Sequence, residues 1–467
     1  MNYDITIGLE IHAELNTNSK IFCGCRNSFS TLPNSNCCPV CLGMPGSLPV
    51  LNRMAVEKTI LAGHAMGCQI NDIAIFERKN YFYPDLPKAY QISQMKKPIC
   101  LGGEITLTGG KTIHLNRIHL EEDAGKLIHD EVNGVTLIDY NRGGAPLIEI
   151  VSEPDISSAI EAVEFLEEIR SRLIFSGVAN CKMEEGGLRC DVNISLKKKG
   201  EKKLGNRVEL KNLSSFKMVA RAIEFETKRQ TALLDEGKRI SVETRKWNDA
   251  KGTTSPMRSK ETEIDYRYFP DPDQCPIHLS PQHIERIRKT LPPLAHEYRE
   301  KFVKEYLLPA YDADILTREH YICDFYLKSI ALLSEPKKVS NWLMTNILAK
   351  STGDIKISPK QFTDVIKLTD SRKISRANAL LLIDELWDRT EKDAETTAKA
   401  MKILGGISIE ELSAIINEIF ATNPSAVADY KVTPDKVVNF FMGQTMKRTG
   451  GMADSIVAKE IILKKLM

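Results

Sequence analysis

Cys23-Gly24-Cys25 and, twelve residues further on, Cys38-Pro39-Val40-Cys41 give the chain four thiols in two close pairs. Two pairs that each grip an ion from one turn, with the loop between them closing the tetrahedron, have the spacing of a structural zinc site. A four-thiolate shell leaves no open position, so such an ion would hold structure and take no part in a reaction. Cys37 supplies a fifth thiol and leaves the register of the pairs open. The plain alternative is a loop of buried, reduced cysteines.

Carboxylates carry the second signal. Residues two apart in a strand share a face. In the run from Ile5 to His12, Glu10 and His12 therefore point away from Ile5, Ile7, Leu9 and Ile11. Asp191 and Asn193 likewise share a face opposite Cys190, Val192 and Ile194. Glu149 lies in the apolar run Pro146-Leu147-Ile148-Glu149-Ile150-Val151, where a carboxylate is costly without a partner. His119-Leu120-Glu121-Glu122-Asp123 adds three adjacent acids. Acids arriving from several strands suggest one oxygen-lined site for a hard cation such as magnesium. Taken singly, each reads as well as a solvated strand face or the partner of a lysine or arginine. Thr108-Gly109-Gly110-Lys111-Thr112 imitates the end of a phosphate-binding loop, but Ile105 stands where the first glycine should be and a strand follows.

The elements that must position these groups are legible in outline. Residues 1 to about 290 read as short alternating runs broken by Gly, Asn, Asp and Pro. Gly102-Gly103 and Gly109-Gly110 punctuate a hairpin around Glu104 to Leu107, and Arg207 to Lys211 alternates again. Two helices interrupt this region. One opens at Ser158 with Glu161 as a capping box, carries Ile160, Val163, Leu166, Ile169 and Leu173 inward, and stops near Gly177. The other runs from about Ser214 to Gly237. After Leu291-Pro292-Pro293 the period is helical, with a break at Leu404-Gly405-Gly406. The fold expected is α+β: a strand-rich domain over 1–291 with the zinc insertion near 23–41, an all-α domain over 292–400, and a small helical tail over 401–467.

The 467 residues, 42% hydrophobic and 27% charged, are those of an ordinary globular protein, which excludes disorder, collagen and coiled coil. Lys plus Arg is 64 and Asp plus Glu 62, so no bulk positive field draws nucleic acid. No apolar run approaches the roughly 18 residues that span a bilayer. The start lacks the pattern of a targeting segment, and an odd count of clustered cysteines fits a reducing, cytoplasmic compartment.

Over close to its full length the chain resembles the B subunits of the glutamyl/aspartyl-tRNA amidotransferase family. The resemblance is carried by Gly8-Leu9-Glu10-Ile11-His12, Cys38 to Gly46, Arg78 to Asp85, Lys88 to Gln94, His119 to Lys126, Asp139 to Arg142 and Pro146 to Asp155. It continues through Met183 to Gly186, Arg189 to Asp191, Glu209 to Leu213, Asp265 to Pro270 and a C-terminal stretch with Phe440 to Gln444. It implies a ligase that uses ATP to phosphorylate the side-chain carboxylate of misacylated Glu-tRNA(Gln) or Asp-tRNA(Asn). Ammonia from a glutamine-hydrolysing A subunit then displaces phosphate, and a small C subunit completes a heterotrimer. It further implies magnesium held by Glu10, His12, Glu122, Glu149 and Asp191, with Glu122 chosen over its neighbours on family grounds alone. Lys79, Tyr81 and Lys88 would line the site or the mouth of an ammonia tunnel. Zinc would sit on Cys23, Cys25, Cys38 and Cys41, and Lys447 and Arg448 of the tail would touch tRNA. The lack of a large inserted domain argues against the related archaeal glutamate-only enzyme. A zinc-bearing RNA-binding scaffold with its chemistry in a partner is the competing reading; it has no use for a buried Glu149.

Overall fold

The structure is a computed structural model that describes residues 2–30, 32–130, 132–259, 266–351, 353–404, 409–431, 433–450, 453 and 455–466. It divides into two compact units, Met1–Ala295 and His296–Met467.

The first unit is built on a ten-stranded sheet. Its long strands are β1 (Tyr3–Glu14), β2 (Thr112–Glu122), β3 (Pro146–Ser152), β4 (Leu188–Lys198), β5 (Val208–Lys211), β6 (Glu243–Asn248) and β7 (Thr253–Ser259). They lie in the order β7-β6-β5-β4-β1-β3-β2, and short strands at Cys100–Leu101 and Gln69–Ile70 extend the β2 edge. The parallel pair is β5–β6, joined by a helix; the other pairs in this order are antiparallel. The hairpin expected around Glu104 forms as the strand Glu104–Thr106 paired with the start of β2.

Alternation divides the sheet into two chemically different faces. Ile7, Leu9, Ile11, Ile148, Ile150, Ile118, Leu120, Val192 and Ile194 point to one side and are sealed from water. Three helices close that side: α1 (Arg53–Ala65), α2 (Ala159–Phe175) and α3 (Phe216–Asp235). Asn52, Ser158 and Ser215 cap their first turns through side-chain oxygens. In α2 the inward face is Ala162, Phe165, Leu166, Ile169 and Leu173. Ile160, expected inward, is 80% exposed. It sits two residues, about 200°, from Ala162, so one helical turn cannot bury both.

In the second unit the described elements are helices. Pro359–Asp370 opens on a full capping box between Ser358 and Gln361. The last helices, Ile409–Thr422, Pro434–Arg448 and Ser455–Leu466, share a core of Leu412, Ile416, Phe441, Ala458 and Ile462. Gly405 and Gly406 of the expected break lie outside the described residues. No described helix is long and apolar enough to cross a membrane.

Candidate active site

The polar face of the sheet carries the chemistry. Register sets Arg189, His12, Glu149 and His119 side by side across β4, β1, β3 and β2. His12 Nε2 lies 3.3 Å from Glu149 Oε2 and 3.7 Å from Glu121 Oε1. His119 Nε2 lies 3.3 Å from Glu121 Oε2 and 3.6 Å from Glu149 Oε2. One ligand atom from each of His12, Glu121 and Glu149 falls within 4.8 Å of the others. Imidazole and carboxylate oxygens are donors that a divalent cation of the magnesium or manganese type accepts.

The electrostatics of this group are those of a poised anion. Burial pushes Glu149 upward, but His119, His12 and Lys79 outweigh it and hold the carboxyl below its ordinary range. Burial likewise opposes ionisation of Glu121, and His119 with Lys79 reverses that against the Glu149 charge. His12 is penalised by burial, yet Glu149 and Glu121 raise it overall. Lys79 is held protonated in spite of burial by Glu121, Tyr268 and Glu149. Its Nζ lies 5.1 Å from the centre of the Tyr266 ring, a cation–π contact. Tyr81 and Tyr266 meet edge to face at 6.1 Å, and Tyr266 meets Tyr268 at the same distance. Burial raises the Tyr81 phenol, and it pushes Tyr268 to about 12. Lys79 and Tyr81 thus stand on one wall with two tyrosines that sequence reasoning quoted only as part of a motif.

Glu10 and Asp191 do not join that group. They pair across β1 and β4 and meet Glu209 of β5, again with ligand atoms within 4.8 Å. Lys211 Nζ lies 2.5 Å from Asp191 Oδ2 and 3.1 Å from Glu209 Oε1. A cleft lined by Gly8, Glu10, Ser152, Asn193, Gly205 and Arg207 opens beside them. Glu209 was missed by sequence reasoning, although Arg207 to Lys211 alternates and puts it on a face with Lys211.

Glu122 stands apart from both groups. It was expected beside His12 and Glu149, but Glu121 stands there. Glu122 binds the Lys88 ammonium at 2.5 and 2.6 Å and accepts from the Ile92 amide at 2.9 Å. Strand alternation is the cause, since His119 and Glu121 share the polar face and Glu122 turns to the other. The five expected magnesium ligands therefore separate into His12 with Glu149, Glu10 with Asp191, and Glu122 alone.

The four cysteines converge. Cys23, Cys25, Cys38 and Cys41 put their sulfurs within 4.8 Å of one another. Cys37 points elsewhere, with its thiol 3.8 Å from Asn141 Oδ1, which fixes the register. The fully buried Lys20 donates to Cys41 Sγ at 3.4 Å and to the carbonyls of Asn36 and Tyr140. A hydrogen bond from Cys23, the Cys38 amide and Lys20 pull the Cys41 thiol down to about 4 against burial. Burial and Cys38 push Cys25 up to about 11. Four sulfur donors in one shell suit a tetrahedral soft-ligand ion.

Lys447 and Arg448 end the helix Pro434–Arg448, both exposed, with Arg448 paired to Glu418 at 2.5 Å. They belong to the second unit.

The polar face of this mostly antiparallel sheet thus carries two acid groups of the donor type that metal-dependent group-transfer enzymes use. Residues 5–285 match the family described as the GatB/GatE catalytic domain, and residues 324–466 match the GatB domain. The B subunit of the aspartyl/glutamyl-tRNA(Asn/Gln) amidotransferase from Thermoanaerobacter sp. (strain X514) is 47% identical over 475 residues, covering 100% of both chains. Its counterpart from Caldicellulosiruptor saccharolyticus is 46% identical over 478 residues, covering 100% of this chain and 99% of its own. That from Thermodesulfovibrio yellowstonii is 44% identical over 475 residues, with 100% of both chains covered. The chain belongs to the GatB family.

Proposed function

We propose that this chain is the catalytic subunit of a glutamine-dependent tRNA amidotransferase, a ligase that forms a carbon–nitrogen bond. Its substrate is tRNA misacylated with glutamate, aspartate or both. The observation that carries this reading is the convergence of His12, Glu121 and Glu149 beside Lys79, in a chain that matches its relatives end to end. ATP phosphorylates the side-chain carboxylate, and ammonia displaces the phosphate to leave the amide. Bound magnesium would neutralise phosphate charge during that transfer. His12, Glu121 and Glu149 are the residues that would hold one ion, and Glu10, Asp191 and Glu209 a second. Lys79 adds a fixed positive charge facing the transferred group, where it is worth more than in water. Tyr81, Tyr266 and Tyr268 wall the site. Lys88, locked by Glu122, lies toward the cysteine loop and would line the site or the mouth of an ammonia tunnel.

Zinc on Cys23, Cys25, Cys38 and Cys41 would fix the loop at 23–41. A strand-rich cradle spans 1–291, an all-α domain follows over 292–400, and the tail over 401–467 meets tRNA through Lys447 and Arg448. An A subunit that hydrolyses glutamine and a small C subunit complete a cytoplasmic heterotrimer. The test is Glu149→Gln in the reconstituted complex with misacylated tRNA. ATP-dependent amide formation should fall at least about a hundredfold. A rate equal to wild type would make the chain a scaffold.

A further inference from the structure

A lysine already sits inside the second acid group. Lys211 Nζ contacts Asp191 at 2.5 Å and Glu209 at 3.1 Å. The other oxygens are matched too, with Asn193 Nδ2 donating to Glu10 at 2.9 Å and Thr244 Oγ1 to Glu209 at 2.7 Å. Among the described residues, the ion-pair partners of Glu121 and Glu149 are imidazoles, and no ammonium lies at that distance.

Three carboxylates this close repel one another unless a cation lies among them. An ammonium and a divalent ion cannot share the same few ångströms without strong repulsion. We infer that Lys211 is the resident counter-ion of the Glu10–Asp191–Glu209 group, and that a divalent ion enters only as this side chain leaves. The lysine stem is flexible, and the side chain is 35% exposed, so it has a way out. A phosphate group arriving beside it draws the ammonium off and leaves three carboxylates for the metal. Lys211 is then a positioning residue that makes the two ion sites unequal: the imidazole-bearing group fills first, and the second fills with the anionic substrate. This rests on the reading that both groups take divalent ions.

Manganese binding to the full-length chain, followed by electron paramagnetic resonance, tests it. Wild type should bind one ion tightly and a second weakly. Lys211→Met should tighten the second about tenfold and leave the first unchanged, because one positive charge has gone from beside it. Lys211→Arg, which keeps the charge, should follow wild type. Glu149→Gln should lose the tight ion and so mark which group it occupies. If Lys211→Met fails to fold, Lys211→Gln carries the same expectation. An unchanged second constant in these neutral variants overturns the inference, as does equal tightening in Lys211→Arg. Loss of the tight ion in Glu149→Gln alongside such an unchanged constant would leave the metal reading standing. No manganese bound to any form would overturn both.

Discussion

Glu121 and Glu122 are neighbours in the chain and serve opposite faces of the sheet. Glu121 Oε2 lies 3.3 Å from His119 Nε2 in the acid and imidazole group, whereas both oxygens of Glu122 hold Lys88. Both are buried, so neither is a solvated strand residue.

Their substitutions should therefore separate. Glu121→Gln should raise the magnesium concentration needed for amide formation and cut the rate about a hundredfold. Glu122→Gln should leave the magnesium requirement unchanged and cost roughly 1–3 kcal/mol of stability, because the Lys88 ammonium loses its charged partner. Magnesium titration of the reaction and urea unfolding of the two variants read these effects. A shift of the magnesium curve by Glu122→Gln alone would contradict the assignment by face.

The cysteine loop gives an all-or-none expectation. Cys38→Ser or Cys41→Ser should remove bound zinc, since three thiolates and a hydroxyl no longer make the closed shell. Cys37→Ser should keep it, because that thiol faces Asn141. Elemental analysis of the purified proteins decides the matter, and equal zinc in all three variants would exclude the four-cysteine assignment.

The start of α2 carries a pH-dependent contribution. Glu161 accepts from the Ser157 amide at 2.8 Å and pairs with Lys111 at 2.6 Å. Burial opposes ionisation, but Lys111 and Ser157 outweigh it and lower the carboxyl below its ordinary value. A carboxyl lowered in the folded state stabilises fully above its unfolded pKa of about 4.3, and that gain is lost as pH falls through the folded value. Glu161→Gln should cost roughly 0.5 kcal/mol at pH 7, allowing for its partial exposure. The two stability curves should converge below about pH 4. A constant gap down to about pH 3 would show that the charge contributes nothing.

What the sequence made legible follows how far each signal reaches along the chain. The cysteine pairs are local, and four of the five thiols found each other as spaced. The alternation from Ile5 to His12 identified the polar face because one strand suffices to define it. Glu122 rested on a family motif alone, whereas the same alternation leads from His119 to Glu121, the acid that meets His12 and Glu149. Glu209 was out of reach for another reason. Its face was readable from Arg207 to Lys211, but its companionship with Asp191 depends on β5 lying beside β4, and pairing between distant strands leaves no local trace. Ile160 was placed inward as an apolar residue near a helix start, when angular position relative to Ala162 decides the matter.

The register of the sheet also sets a timetable. His12 meets Glu149 across 137 residues, and Glu10 meets Asp191 across 181, from the pairing of β1 with β3 and β4. Contacts so remote in sequence form slowly, because long loops must close before they are rewarded. During synthesis, β1 leaves the ribosome with one member of each three-residue ligand set and waits, its edges unmatched, until Lys198 has followed. A nascent chain shorter than this holds an open strand that can pair with a stranger. The central position of β1 thus makes a strand from the start of the chain wait for partners made more than a hundred residues later.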